Sequence, residues 1–307
     1  MSYRIRNWSE YNAGLKQRGN LTFWISDETC EHWLTQDRTG QRGASTIDSD
    51  LAILTFATVK VVYRQAGRQT QGFLESIFAL MDIELTVPDH STVSRRLKTL
   101  EIQLPVIPQE SARHIVVDST GIKVYGEGEW KTRQHGISKR RTWRKLHLGV
   151  DESTGEIVSA KVTSNDIHDG QVLPSLLDEI EDDIYQVSAD GAYDHKHCYE
   201  EIAARDAIAI IPPRKNAKVW YRKNCKIAPH QRDENLRYIR KYGRKAWKID
   251  HQYHRRSLAE TTMGRHKRAF GGIVTSHNFE NQVIELLIQC RVLNRMIQIA
   301  KPEPEAI

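Results

Sequence analysis

Four side chains of unlike chemistry recur within "YHRRSLAETTMGRHK": Tyr253, Arg256, Glu260 and Lys267. At about 100° per residue, a helix places all four within an arc of about 60°. Gly264 shares that face, where a missing side chain lets a backbone or a phosphate come close. Aromatic, guanidinium, carboxylate and ammonium groups in one stripe do not suit a hydrophobic core. Glu260 is the one acid in the segment, among six Arg, Lys and His residues. Two readings compete. Arg256 and Glu260 form an i,i+4 pair on a surface helix, worth a few tenths of a kcal/mol, or Glu260 is a metal ligand flanked by phosphate clamps.

The second reading needs more carboxylates. Asp118 ends the β-rich run "RHIVVDST", and Asp190 ends "IYQVSAD". If these strands are parallel neighbours, their carboxyl ends coincide, which is where ligands of open α/β sheets collect. Carboxylates held together repel and call for a cation. Mg²⁺ suits them, as a hard ion that takes oxygen ligands and keeps waters for substrate phosphates. Rival aspartates have structural explanations. Asp151 falls at a hairpin turn, and Asp169 and Asp194 stand where helix N-caps belong. His195, His197 and Cys198 cluster, but one cluster supplies no fourth zinc ligand.

The elements that must position these acids fall into two stretches. Residues 1–44 are polar and irregular. Helical periodicity then covers Ile47–Gln65 and Gln69–Met81, and a third helix, "HSTVSRRLKTL", opens after Pro88 with Asp89 or Ser91 as N-cap. Its polar side shows Ser91, Thr92, Ser94, Arg95 and Arg96, residue types that contact DNA bases and phosphates. The link before it is longer than a helix-turn-helix turn, so a groove-reading role stays open. Beyond Leu104 the order is three strands, helix, strand, helix, strand, which describes a mixed α/β sheet flanked by helices.

Charge is segregated along the chain. Residues 151–204 contain 2 Lys/Arg against 14 Asp/Glu, whereas residues 205–270 contain 19 against 5. A net +14 over that second block is a footprint for nucleic-acid phosphates. The loop "KTRQHGISKRRTWRK" adds seven more basic residues, and its Lys139, Arg140, Arg141 and Arg144 are expected to grip DNA through phosphates. A basic insertion is expected at about 212–250, with "RKNAKVWYRKNCKIAP" forming a small β-rich elaboration and Trp220 or Trp247 either stacking on a displaced base or packing in the core. No apolar run reaches the roughly 18–20 residues of a membrane span, and the start lacks the apolar core of a secretory signal. The four cysteines stand far apart, as suits a reducing cytoplasm.

The spacing Tyr253-x2-Arg256-x3-Glu260-x6-Lys267 resembles the Y-R-E-K signature of bacterial insertion-sequence transposases with an Asp-Asp-Glu triad. "VVDSTGIKV" and "ADGAYD" resemble that family's two aspartate segments. "YNAGLKQRGNLTFWIS" and the helices up to "STVSRRL" resemble insertion-sequence family five. The resemblance implies an RNase H-like catalytic domain over 105–307, preceded by a helical DNA-binding region over 45–104. It implies a triad of Asp118, Asp190 and Glu260 holding two Mg²⁺ ions, with Mn²⁺ able to substitute. Tyr253, Arg256 and Lys267 then hold a DNA end. The implied activity is binding of the element's terminal inverted repeats, 3′-end cleavage and strand transfer into double-stranded target DNA. The implied protein is bacterial, cytoplasmic and nucleoid-associated, and at least a dimer when two ends are paired. A stand-alone RNase H-like nuclease and a non-catalytic DNA-binding regulator share parts of this pattern.

Overall fold

β-Branched residues drive the long strand at the centre of the sheet, and apolar stripes of period 3.6 drive the helices before it. The structure is a computed structural model describing residues 3–35, 47–126, 143–220 and 230–306. In chain order it begins with β1 (Tyr3–Ile5), α1 (Trp8–Arg18), α2 (Leu21–Trp24) and α3 (Asp27–Glu31), so the segment expected to be irregular is largely helical where described. Helices α4 (Asp50–Val62), α5 (Gly67–Leu80) and α6 (His90–Arg96) follow. The strand-rich part contains β2 (Arg113–Val124), β3 (Trp143–Asp151), β4 (Ile157–Ser164) and α7 (Asp169–Leu177). It continues with β5 (Ile184–Ser188), α8 (Lys196–Ala203) and β6 (Ile208–Ile210). Then come α9 (Gln231–Asp250), α10 (Ser257–Phe270), β7 (Ile273–Val274), α11 (Phe279–Ile299) and β8 (Pro304–Ala306).

Two compact units result: residues 1–105 together with 274–307, and residues 106–273. The sequence reading placed the last segment with the catalytic region, but 274–307 groups with the N-terminal helices. In this first unit Ser49 caps α4 by accepting from the Ala52 amide at 3.1 Å. Ile53, Phe56 and Val59 on α4 are buried, and α4 packs against α11. Trp33 is fully buried, donates to the Thr86 carbonyl at 2.8 Å and meets Phe78 edge-on. Strands β1 and β8 pair antiparallel. Gly14 on α1 lies so close to Ala300 that an added Cβ would sit 2.2 Å from the Ala300 Cβ, so only glycine fits. Asp89 caps α6, as its position suggests, through the Ser91 amide at 2.8 Å.

The second unit is built on a six-stranded sheet in the order β4-β3-β2-β5-β6, with β7 also pairing with β2. β2 runs antiparallel to β3 and parallel to β5, and β5 runs parallel to β6. This is the mixed sheet that the element order predicts. Ile115 and Val117 on one face of β2 join Leu173 and Leu177 of α7 and Ile202 of α8 in a dry core. On the opposite face Val116 pairs across with Val150, and both are fully buried, while α10 packs on β2 and β3. At the base of β2, Arg113 is buried between Asp151 at 2.7 Å and Asp182 at 2.6 Å. No helix among the described residues is long and apolar enough to cross a membrane.

Candidate active site

β2 continues unbroken through "GIKV", so Asp118 lies inside a strand of 12 residues rather than at its end. Its parallel neighbour is shorter. β5 stops at Ser188, which is in register with Val116, so two further residues on each chain bring Asp118 and Asp190 level. The His114 ring bonds Ser188 Oγ at 2.8 Å and stitches the two strands together below that point. Each aspartate has one oxygen fixed by a backbone amide: Asp118 Oδ1 by Ser119 at 2.9 Å, and Asp190 Oδ1 by Ala192 at 2.8 Å. The second of these starts the 3₁₀ turn Gly191–Tyr193.

The Tyr253–Lys267 segment is not one helix. Tyr253–Arg256 forms a 3₁₀ turn, entered through Gln252 at φ 50°, and α10 begins at Ser257. Glu260 sits in the first turn of α10. Arg256 joins the acids: its Nη1 lies 3.0 Å from Asp118 Oδ2, and its Nη2 bonds Glu260 Oε1. The i,i+4 pair and the shared site therefore coexist. One guanidinium spans both.

Burial pushes the Asp118 carboxyl above its ordinary value; the Ser119 amide and Arg256 oppose this, and the charges of Asp190 and Glu260 add to it. Burial also raises the Tyr253 hydroxyl, with Asp190 and Asp118 contributing against the opposing pull of Arg256. Burial works against the Arg256 charge, but Tyr253, Asp118, Glu260 and Asp190 outweigh it and raise its pKa. Asp118 and Glu260 thus meet on Arg256, while Asp190 acts on Asp118, Tyr253 and Arg256 through its charge. Among the described residues no three His, Cys, Asp or Glu side chains stand close enough to hold an ion as they are. The donor set fits a hard divalent ion, being all carboxylate oxygen with a half-buried Asp118 whose pKa is raised. Arg256 has to leave Asp118 and Glu260 before an ion can use them.

Trp247 belongs to the scaffold of this site. It is fully buried, donates to Asn235 Oδ1 at 3.1 Å, and packs against His251 and Tyr253 with ring centroids 5.0 and 5.5 Å away. Base stacking by Trp247 is thereby excluded in this conformation. Trp220 carries the Arg232 guanidinium 3.9 Å above its ring and lies edge-on to His230. Of the stretch expected to be β-rich, residues 214–220 form no strand and 221–229 lie outside the described residues; Gln231–Asp250 is helical, kinked at Gly243 with φ 89°. Backbone geometry there requires glycine.

Lys267 is exposed, with its stem 3.3 Å from where a Cβ on Gly272 would lie. Arg144, half-buried in β3, pairs across from Ile122 and so shares the face of Asp118, about 13 Å along the strand from Leu148 opposite that acid. Arg95 is exposed on α6. Arg96 instead bonds the Asp48 carbonyl and the Asp50 carboxylate at 2.6 Å, so its fork anchors the start of α4 rather than facing DNA. Lys139, Arg140 and Arg141 lie outside the described residues. Rival acids have other partners. Asp151 binds Arg113, Asp169 binds Lys145 at 3.0 Å, and Asp194 binds Arg232. His168 and His195, not Asp169 and Asp194, occupy the N-cap positions. The His197 ring and the Cys198 thiol both bond the Gly170 carbonyl.

Two family models match the chain, each describing a transposase DDE domain, over residues 16–127 and 109–295. Among solved structures it is similar to a chain in the cryo-EM structure of a piggyBac transposase synaptic complex with hairpin DNA. That likeness has a TM-score of 0.42 and 10% identity, covering 97% of this chain and 77% of that one. The second family model alone spans more than half of the sequence, strand β2 through most of helix α11, and contains Asp118, Asp190 and Glu260. By that match the chain belongs to the family of transposase DDE domains.

Proposed function

We propose that the protein binds the terminal inverted repeats of a bacterial insertion sequence of family five, cuts DNA at the element's 3′ ends and joins those ends to target DNA. The observation that carries this reading is that Asp118, level with Asp190 on the neighbouring parallel strand, shares the Arg256 guanidinium with Glu260. The three acids would hold two divalent ions, Mg²⁺ or Mn²⁺, which when bound supply water activation and charge relief at the leaving oxygen. Asp118 and Asp190 follow paired parallel strands and each has one oxygen fixed by a backbone amide, so these two acids are positioned in advance, while Arg256 and Glu260 must rearrange. Tyr253, kept protonated by its raised pKa, donates to a phosphate of the DNA end. Arg256 and Lys267 neutralise phosphate charge and fix the register of that end. Arg95 and Ser94, both exposed on α6, make contacts to the repeat, and Arg144 supports DNA passing the sheet face. Pairing two ends requires at least a dimer, acting in the cytoplasm at the nucleoid.

The test uses purified protein and a labelled duplex carrying the gene's own flanking end. Cutting at the 3′ boundary is expected with Mg²⁺, absent with EDTA, and absent in Glu260→Gln although that variant still binds the duplex. Normal cutting by Glu260→Gln would remove Glu260 from the mechanism.

A further inference from the structure

Arg256 occupies both acids that an ion would need, and it is also the residue proposed to hold a DNA phosphate. We infer that Arg256 makes metal loading and DNA binding conditional on one another: without DNA its guanidinium acts as the resident counter-cation of Asp118 and Glu260, and a phosphate draws it away. This rests on the proposed reading of the acids as ion ligands.

The geometry supports such an exchange. Both ends of the guanidinium fork are used, one on Asp118 Oδ2 at 3.0 Å and one on Glu260 Oε1. The side chains of Arg256 and Asp118 are only 18% and 16% exposed, so water screens their attraction weakly. An ion entering beside Arg256 meets a like charge and oxygens already accepting hydrogen bonds. Phosphate oxygens offer the planar fork the same bidentate partner as two carboxylates do. Arg256 stands at the joint between the 3₁₀ turn and α10, one turn from Glu260, so its side chain can swing while the Glu260 backbone stays in place. Linkage then makes the effect reciprocal: DNA tightens metal binding by the factor by which metal tightens DNA binding. Free protein stays poorly loaded with ions, and the site assembles on a seated DNA end.

Mn²⁺ binding to the full chain, followed calorimetrically, tests this with and without a duplex that stops at the cleavage point and leaves nothing to cut. Without DNA, Arg256→Gln is expected to bind Mn²⁺ at least about tenfold more tightly than wild type, which is about 1.4 kcal/mol. Arg256→Lys, keeping the charge but not the fork, is expected in between. Arg255→Gln is the control for charge alone, because Arg255 pairs with Glu152 rather than with the three acids; its Mn²⁺ affinity is expected to stay within about twofold of wild type. DNA is expected to tighten Mn²⁺ binding to wild type. No gain in Arg256→Gln, an equal gain in Arg255→Gln, or no effect of DNA on wild type would overturn the coupling. Asp118→Asn separates the two layers. Mn²⁺ binding that survives in Asp118→Asn overturns the assignment of the acids themselves, whereas loss there without gain in Arg256→Gln overturns only the role of Arg256.

Discussion

Asp118 is an acid placed where ionisation is unfavourable, and that has a measurable consequence. Its pKa is raised by burial, and further by Asp190 and Glu260, despite the pull of the Ser119 amide and Arg256. Between the ordinary carboxylate value and the raised one, the folded chain holds more protons than the unfolded chain, so stability falls as pH rises through that window. At neutral pH ionised Asp118 is therefore a cost to the fold. Asp118→Asn is expected to leave the Tm in EDTA unchanged or raise it by up to about 3 °C. The same variant is expected to lose any Tm gain produced by Mg²⁺ or Mn²⁺. A marked drop in Tm in EDTA would mean that the pair with Arg256 outweighs the repulsion. The three acids could be picked out in the sequence because Glu260 is alone in a basic segment and both aspartates follow β-branched runs. Among the acids, Arg256 could be paired from the sequence with Glu260 alone. Its other partner, Asp118, is 138 residues away and is brought to it by the packing of α10 on β2.

Elements were legible where periodicity was strong and illegible where one glycine or one turn decided the outcome. The succession of strands and helices after residue 105 followed from the pattern of apolar runs, and α4, α5 and α6 from helical periodicity within a few residues of their predicted limits. In the basic insertion the β-rich expectation fails over 214–220, which form no strand, and the following Gln231–Asp250 is a helix kinked at Gly243. A helix from Tyr253 was equally natural by spacing, yet Gln252 in the left-handed region tightens the first turn to 3₁₀. Helix α9 is tied to the Asp190 turn by a buried pair. Arg232 Nε lies 2.5 Å from Asp194 Oδ1, with side chains 5% and 1% exposed. Arg232→Ala leaves Asp194 buried without its cation and is expected to cost about 3–5 kcal/mol in urea unfolding. Because Asp194 is four residues from Asp190, Mn²⁺ affinity is expected to weaken as well. A cost below about 1 kcal/mol would show that the pair is solvated rather than buried.

At the scale of the whole molecule, charge and chain connectivity matter most. The net +14 of residues 205–270 is carried by the region that includes α9, the 3₁₀ turn and α10, next in sequence to a block of net −12. Binding to an end duplex is expected to weaken by at least about a thousandfold between about 50 and 200 mM salt, as for six or more phosphate contacts. A shallow salt dependence would argue for recognition without those phosphates. The division of the chain at 105 and 274 was only half legible. The switch from helices to strands marks the first boundary, whereas the apolar face of α11 does not announce which element it will cover. That connectivity also sets an order of events on the ribosome. Residues 106–273 are synthesised as one continuous stretch, whereas α4 cannot bury its face against α11 until Phe279–Ile299 has appeared. At about 5–20 residues per second, the first helices wait roughly 10–50 s for their partner. A nascent chain arrested at residue 273 should thus resist protease in its strand-rich part while its first hundred residues are still digestible.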